Sequence, residues 1–402
     1  MAEWSVPEAA RRGGGGLPWI AGLTLFVLGS DLNLVAPFLS AIATTFHLPR
    51  PGRAGWLVTV FALSYTVTSP VWGYIQDRMR ARRAVLGVGL GAFLVSEAVS
   101  AAAPTYGTLM AARALGGMAA AAVTPAAYAW IADWVPWQRR SRAMAVASMG
   151  FSVATVAGVP LGLWGSQWWS WRGVLWALTA LGAMVGAAWV PYLRIGPVAA
   201  RPPSGPSSPK AAGLPVLAAS FFAFGTVGLV YTYLAWTFQH RFQWPVGRLA
   251  LLLGLYGMLG VGGNALMGWL GDRWGKRAAA RRAMVAEGLS LLGMAVAASG
   301  RLGGALAAAV LGFGLTQAYL PNLKAMASAV SPGRRGQSVA WNNAAMYAGL
   351  MVGSGVATVV VPRWGLAWAA GMGVLALTAG WTVLGRPYRG RHEAGGSPGL
   401  RR

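Results

Sequence analysis

GYIQDRMRARR runs from Gly73 to Arg83, and GWLGDRWGKR runs from Gly268 to Arg277. Gly73 pairs with Gly268, Asp77 with Asp272 and Arg78 with Arg273, each at an offset of 195. The same offset carries Arg139 and Arg140 onto Arg334 and Arg335, and Gly158 onto Gly353. Each copy closes one long apolar run, and another run starts a few residues later. The chain is therefore a duplicated unit built from apolar segments.

Composition places those segments in a bilayer. Charged residues are 10% of the 402, against about a quarter in ordinary soluble domains. Hydrophobic residues are 56%, and the mean hydropathy is +0.51. A soluble chain of this length has no room to bury so much apolar surface. Cysteine is absent, which excludes disulfides, thiolate nucleophiles and cysteine-bound metals. The net charge of +24 would suggest nucleic acid in a soluble protein; here basic residues flanking membrane helices explain it, and no nucleic-acid partner is expected.

Apolar runs of about 20 residues are each long enough to cross a bilayer as a helix. Twelve such runs centre on 17–40, 54–76, 84–103, 106–132, 143–165, 172–193, 214–238, 247–271, 280–299, 302–328, 337–361 and 366–385. Of the 33 basic residues, seven fall in the odd-numbered gaps and twenty-four in the termini and even-numbered gaps; Arg113 and Lys324 lie inside spans. This asymmetry puts both termini and both motif loops in the cytoplasm of a multi-pass protein of the inner or plasma membrane. The first run is too long for a cleaved signal peptide, and it carries Asp31 and Asn33. A Pro/Ser-rich stretch, RPPSGPSSPK at 201–210, cannot continue a helix and reads as a linker. The expected organisation is a disordered cytoplasmic segment 1–16, a six-span bundle 17–193, a linker 194–213, a second six-span bundle 214–386 and a tail 387–402.

Over roughly residues 17 to 388 the chain resembles the major facilitator superfamily, in its twelve-helix drug:proton antiporter and sugar-efflux branch. The signature between spans 2 and 3 of that family is G-x-L-a-D-R-x-G-R-K-R. Gly268, Leu270, Asp272, Arg273, Gly275, Lys276 and Arg277 fit it position by position; the first copy departs, with Arg80 where glycine is usual and Ala81 in the basic run. Arg113-Ala-Leu-Gly-Gly117 in span 4 resembles a second family motif, with Gly116 replacing the usual glutamine. Gly150, Gly158, Pro160 and Gly162 in span 5 resemble the glycine-rich antiporter motif in its GVPLG form. Such glycines also serve general helix packing.

The resemblance implies an all-α membrane fold of two pseudo-symmetric six-helix halves, working as a secondary transporter with protons and a small molecule as partners, as a monomer and without a cofactor. It implies a cytoplasmic latch of Asp77, Arg78, Arg82, Asp133, Asp272, Arg273, Lys276 and Arg277. In it, Asp77 would meet the positive end of span 11 and Asp133 the motif arginines. Arg113 is tied to proton coupling in the family, and Asp31, a lone carboxylate mid-way along span 1, is the first choice for its partner. Carboxylates inside a membrane are expensive and can carry protons. Glu97, on an outer helix, and Glu287, expected near the cytoplasmic interface, read as structural.

The family places the substrate between the halves, where Asn33, Trp130, Tyr231, Trp236, Gln317, Asn322, Lys324 and Asn343 are the candidates. Lys324 either faces the cavity, which would suit an organic anion or metabolite, or snorkels to the cytoplasmic face. Snorkelling is preferred; the cavity is then acidic through Asp31, aromatic through span 7, and fit for exporting neutral or cationic amphipathic or sugar-like molecules. His47, His240 and His392 all fall in loops or the tail, and HExxH, GxSxG and P-loop patterns are absent, so an enzyme is not expected. A membrane receptor or assembly factor on the same fold is the rival class.

Overall fold

The computed structural model describes residues 15–49, 51–78, 82–135, 137–195, 213–300, 303–316, 319–330 and 335–385. Within a bilayer a backbone must satisfy its own hydrogen bonds, and a lone segment does so only as a helix. The described residues are accordingly helical: α1 Leu17–Thr45, α2 Trp56–Arg78, α3 Arg82–Ala102, α4 Tyr106–Trp134, α5 Trp137–Val153, α6 Val159–Ile195, α7 Leu214–Arg241, α8 Val246–Trp274, α9 Lys276–Ser299, α10 Gly303–Thr316, α11 Leu320–Val330, α12 Arg335–Trp364 and α13 Leu366–Gly385.

Ten helical stretches are long and apolar enough to cross a membrane. One of them, Ala143–Arg194, is 52 residues long, more than twice what one crossing needs. Ser170 breaks it with φ 59° and ψ 171°, so it holds the fifth and sixth crossings. The tenth is divided into α10 and α11. The architecture is consistent with twelve crossings, with α7, α8, α9, α12 and α13 as the seventh, eighth, ninth, eleventh and twelfth. The turn into α9 runs through Gly275 at φ 82°, a conformation that favours glycine. The motif glycine of the second copy is thus used for its backbone. Its counterpart Arg80 lies outside the described residues.

Close approach of backbones sets the packing inside each half. A Cβ on Gly150 of α5 would lie 2.0 Å from the Gly22 carbonyl of α1, and one on Gly349 of α12 would lie 2.0 Å from the Phe221 carbonyl of α7. Gly158 likewise abuts Ser30, and Gly353 abuts Gly225. The first and fifth spans therefore meet as the seventh and eleventh do, which is the duplication expressed in three dimensions.

Between α5 and α6 the chain makes a π-helical turn, Ala154–Gly158, just ahead of Pro160, which has no N–H to give. This turn packs on the other half: Gly257 of α8 lies against Thr155, and Gly254 lies against Pro160. Other contacts join the halves on the side away from the basic loops. Thr59 Oγ1 lies 2.9 Å from Ser354 Oγ, the Tyr233 hydroxyl donates to the Gly52 carbonyl at 2.5 Å, and Ser40 Oγ lies 3.4 Å from His240 Nδ1. One hydrophobic core there includes Phe38, Leu57, Leu175, Phe238 and Val361 from both halves. A second core, around Trp130 and Trp189, belongs almost wholly to the N-terminal half.

Candidate functional site

Three ionisable side chains from three spans meet inside the N-terminal half. Asp31 of α1 and Arg113 of α4 form an ion pair through Oδ1 and Nη1, with exposures of 0% and 2%. Glu97 of α3 is also 0% exposed and lies within electrostatic reach of both. The second oxygen of Asp31, the Nε of Arg113 and both oxygens of Glu97 have no hydrogen-bond partner. Two carboxylates facing one guanidinium leave an uncompensated negative charge in a low dielectric, which is costly. Binding one proton makes the group neutral.

The local sequence explains why these residues meet. Gly117 lets α4 approach the Phe61 carbonyl of α2, where a Cβ would come within 2.3 Å. At Gly116, where glutamine is usual in the related motif, the space is held by Ser96 Oγ of α3, which donates to the Ala112 carbonyl at 2.8 Å. The Arg113 guanidinium sits 4.6 Å over the Phe61 ring, so its remaining face is covered by a π-cloud rather than by lipid.

Glu97 was assigned a structural place on an outer helix; the structure puts it in the charged cluster instead. A signal for this existed in the sequence. Phe93, Ser96, Glu97 and Ser100 are all buried and recur at spacings of three and four, so they form one inward stripe of α3.

The proposed cavity residues separate into groups. Tyr231 of α7 donates to the Asn33 carbonyl at 3.3 Å and stacks on Tyr256, joining the halves. Asn33 spends its own amide on Gly29. Trp236 stacks on His240 with ring centroids 4.6 Å apart, and its indole N–H has no acceptor. Asn343 is half-buried. Asn322 is 1% exposed and donates to the Met267 carbonyl, so it ties α11 to α8 within one half. Trp130 is 0% exposed and packs on Trp134 and Trp189. It faces α6 rather than the gap between the halves, because the tryptophans of α4 and α6 form a shared core. Gln317 lies outside the described residues.

One expectation about charge changes. Asp31, fully buried and paired, does not give the cavity an acidic wall. Lys324 is exposed, which fits a place facing the gap between the halves and a snorkelling side chain alike.

At the motif loops, Asp272 pairs with Lys276 one turn on and is 73% exposed, so its ion pair stays within its own motif. Arg273 stacks on Trp269 at 3.9 Å, and Arg277 Nε donates to the Leu384 carbonyl at 2.5 Å. The side chains of Asp77, Arg78, Arg82 and Asp133 lie outside the described residues.

A duplicated bundle of membrane helices, its halves in contact and carrying a buried charged cluster, defines a polytopic α-helical membrane protein. A model of the Major Facilitator Superfamily matches residues 21–318 and 216–401, and the chain belongs to that superfamily. It is 28% identical over 352 residues to the uncharacterized MFS-type transporter YceJ of Bacillus subtilis (strain 168), covering 84% of this chain and 87% of that one. Over 160 residues, 40% of each chain, it is 31% identical to the chloramphenicol resistance protein of Streptomyces lividans. Over 134 residues, 33% of each, it is 31% identical to multidrug resistance protein 2 of Bacillus subtilis (strain 168). The fold matches the crystal structure of the human organic anion transporter MFSD10 with a TM-score of 0.65 at 20% identity, covering 93% of this chain and 99% of that one.

Proposed function

We propose that this protein is a proton-coupled secondary transporter that exports small amphipathic molecules, neutral or anionic, working as a monomer in the cell membrane with both termini cytoplasmic. The observation that carries the coupling is the buried cluster of Asp31, Glu97 and Arg113. Protonating a carboxylate there weakens its hold on Arg113 and changes how α1 sits against α3 and α4. Because α1 also carries the Asn33 contact to Tyr231 of the other half, the proton biases the arrangement of the two halves. A coupling of about 1–3 kcal/mol is enough to change affinity 5- to 150-fold. Export is supported by the drug-resistance relatives, each similar over 40% of this chain or less.

The charge preference takes the exposed Lys324 to face the cavity, and is supported by the withdrawal of Asp31 into its ion pair. Tyr231 and Trp236 supply stacking surface for an apolar body. The motif residues Asp77, Arg78, Arg82, Asp133, Asp272, Arg273, Lys276 and Arg277 are proposed to latch the cytoplasmic side. Among the described residues Asp272 pairs with Lys276 of its own motif.

The test is transport into proteoliposomes under an imposed pH gradient, run with a fluorescent organic anion, a neutral amphipath and a lipophilic cation. Gradient-driven accumulation of the anion or the neutral compound is expected. Binding without flux would favour a receptor on this fold, and flux of the cation alone would overturn the charge assignment.

A further inference from the structure

A second buried carboxyl sits in the other half, away from the Asp31 cluster. Glu287 of α9 is 0% exposed. Its Oε1 lies 2.7 Å from the Thr226 hydroxyl of α7 and 3.4 Å from the Tyr319 hydroxyl, which precedes α11. Its Oε2 is buried with no partner. Thr226 and Tyr319 are the groups that face it. Tyr256 of α8 acts on Tyr319 in turn. On α9 itself, the Arg281 guanidinium is stacked 3.9 Å over Trp381 of α13, and Arg282 over Trp274.

Burial without a cation decides the state of this carboxyl, and the hydroxyls around it accommodate the proton. The Ala223 carbonyl is 2.7 Å from the Thr226 hydroxyl and 2.9 Å from that of Tyr319. Thr226 and Tyr319 thus have two hydroxyl protons for two acceptors, Ala223 O and Glu287 Oε1, and each hydroxyl is within reach of both. If Glu287 were ionised, Thr226 would donate to it and Tyr319 to Ala223, which satisfies both hydroxyls but buries a charge with no cation facing it among the described residues. If Glu287 carries a proton on Oε1, it donates to Thr226, Thr226 donates to Ala223, and Tyr319 donates to Ala223 as well. Every hydroxyl proton then has an acceptor.

We infer that Glu287, Thr226 and Tyr319 form a proton-binding site of the C-terminal half, occupied in this conformation and separate from the Asp31 cluster. The site joins Thr226 of α7, Glu287 of α9 and Tyr319, which stands just ahead of α11. The site stands on the geometry of the C-terminal half and does not depend on Asp31 being the coupling group.

The test uses the full chain in lipid nanodiscs and needs no substrate. Infrared difference spectra at neutral pH are expected to contain the carbonyl stretch of a protonated carboxyl. It should be lost in Glu287→Gln, kept in Asp31→Asn, and downshifted on transfer of the wild type to D2O. If Glu287→Gln does not fold, Thr226→Val is expected to shift the same band by removing its hydrogen-bond partner. A band that neither variant alters would overturn the inference. So would a Glu287 band that resists D2O, since a proton that never exchanges marks a fixed structural group. Unchanged pH-driven transport by Asp31→Asn in proteoliposomes, with this band intact, would sink the coupling proposal above and leave this one standing.

Discussion

Asp31 and Thr226 hold equivalent places in the two halves of the molecule. They are separated by 195 positions, the offset that relates the two loop motifs, and each lies against a buried glutamate from the third helix of its own half. Asp31 lies beside Glu97 of α3, and Thr226 contacts Glu287 of α9. The two glutamates are not themselves related by the offset, since Glu97 maps onto Leu292. The duplication has kept the arrangement, a polar side chain of the first helix facing a carboxyl of the third. What differs is the charge: Arg113 enters the first cluster, and a phenol enters the second.

The first prediction concerns that redundancy. Removing one partner of a buried ion pair ordinarily costs about 3–5 kcal/mol, because the other is left uncompensated. Here Glu97 stands ready to compensate Arg113. Asp31→Asn is therefore expected to stay folded and inserted, losing about 1–2 kcal/mol, within the ordinary range for a single substitution, while pH-driven accumulation is abolished. Asp31→Asn with Glu97→Gln is expected to lose about 3–5 kcal/mol. A double-mutant cycle on thermal unfolding in detergent measures the excess. Additive single and double losses would mean that Glu97 does not share the guanidinium.

The second concerns packing. Gly150→Ala drives a methyl to 2.0 Å from the Gly22 carbonyl, and backbone cannot step aside as a side chain can. A loss of about 1–3 kcal/mol or more is expected. Gly268→Ala is the control, since nothing lies within 4 Å of its Cβ and alanine is the better helix former by about 0.5–1 kcal/mol. Thermal stability of the two proteins in detergent should separate in opposite directions from the wild type. Equal behaviour would show that the close approach of α1 and α5 does not hold in solution.

The third uses the absence of native cysteine. Thr59 and Ser354, whose hydroxyls lie 2.9 Å apart across the two halves, are well placed for a cross-link. T59C with S354C is expected to form a disulfide on oxidation, to stop transport, and to recover on reduction. Continued transport by the fully cross-linked protein would mean that the halves need not separate there. On the cytoplasmic side, Asp77→Ala is expected to raise labelling of single cysteines introduced into the cavity, if the latch holds that side closed.

Much of the architecture was legible before any coordinates, because a bilayer permits little besides helices and the basic loops set their direction. Twelve apolar runs are readable in the sequence, and the described helices are consistent with that number, the fifth and sixth runs forming one stretch broken at Ser170. The meeting of Asp31 with Arg113 was foreseeable from depth. Glu97 was missed because the face of α3 was judged from the helix's outer position rather than from its own buried stripe. Counting from Arg282 gives Glu287 a place near the interface; the structure adds that its side chain is enclosed by protein, in a helix that begins at Lys276. Trp130 was misplaced because an aromatic on a cavity helix faces the cavity on only one side, and periodicity did not say which.

The last prediction decides the substrate's charge. Lys324 is exposed, while Asp31 is fully buried against Arg113, so of these two charges only the ammonium is open to a ligand. A carboxylate or similar anion there would gain a charge-assisted hydrogen bond, about twice as strong as a neutral one. A lipophilic cation would meet repulsion. Lys324→Met keeps the length and apolar stem of the side chain and removes the charge. It is expected to weaken binding of a carboxyfluorescein-type anion about tenfold or more, on the scale of a lost hydrogen bond to a charged group, and to leave a neutral amphipath nearly unchanged. Trp236→Ala removes a stacking surface and should weaken both ligands. Tryptophan-quenching titrations of the two variants with both ligands give the comparison. If Lys324→Met binds the anion as well as the wild type does, the ammonium is not part of the site, and a neutral or cationic substrate held by Tyr231 and Trp236 takes its place.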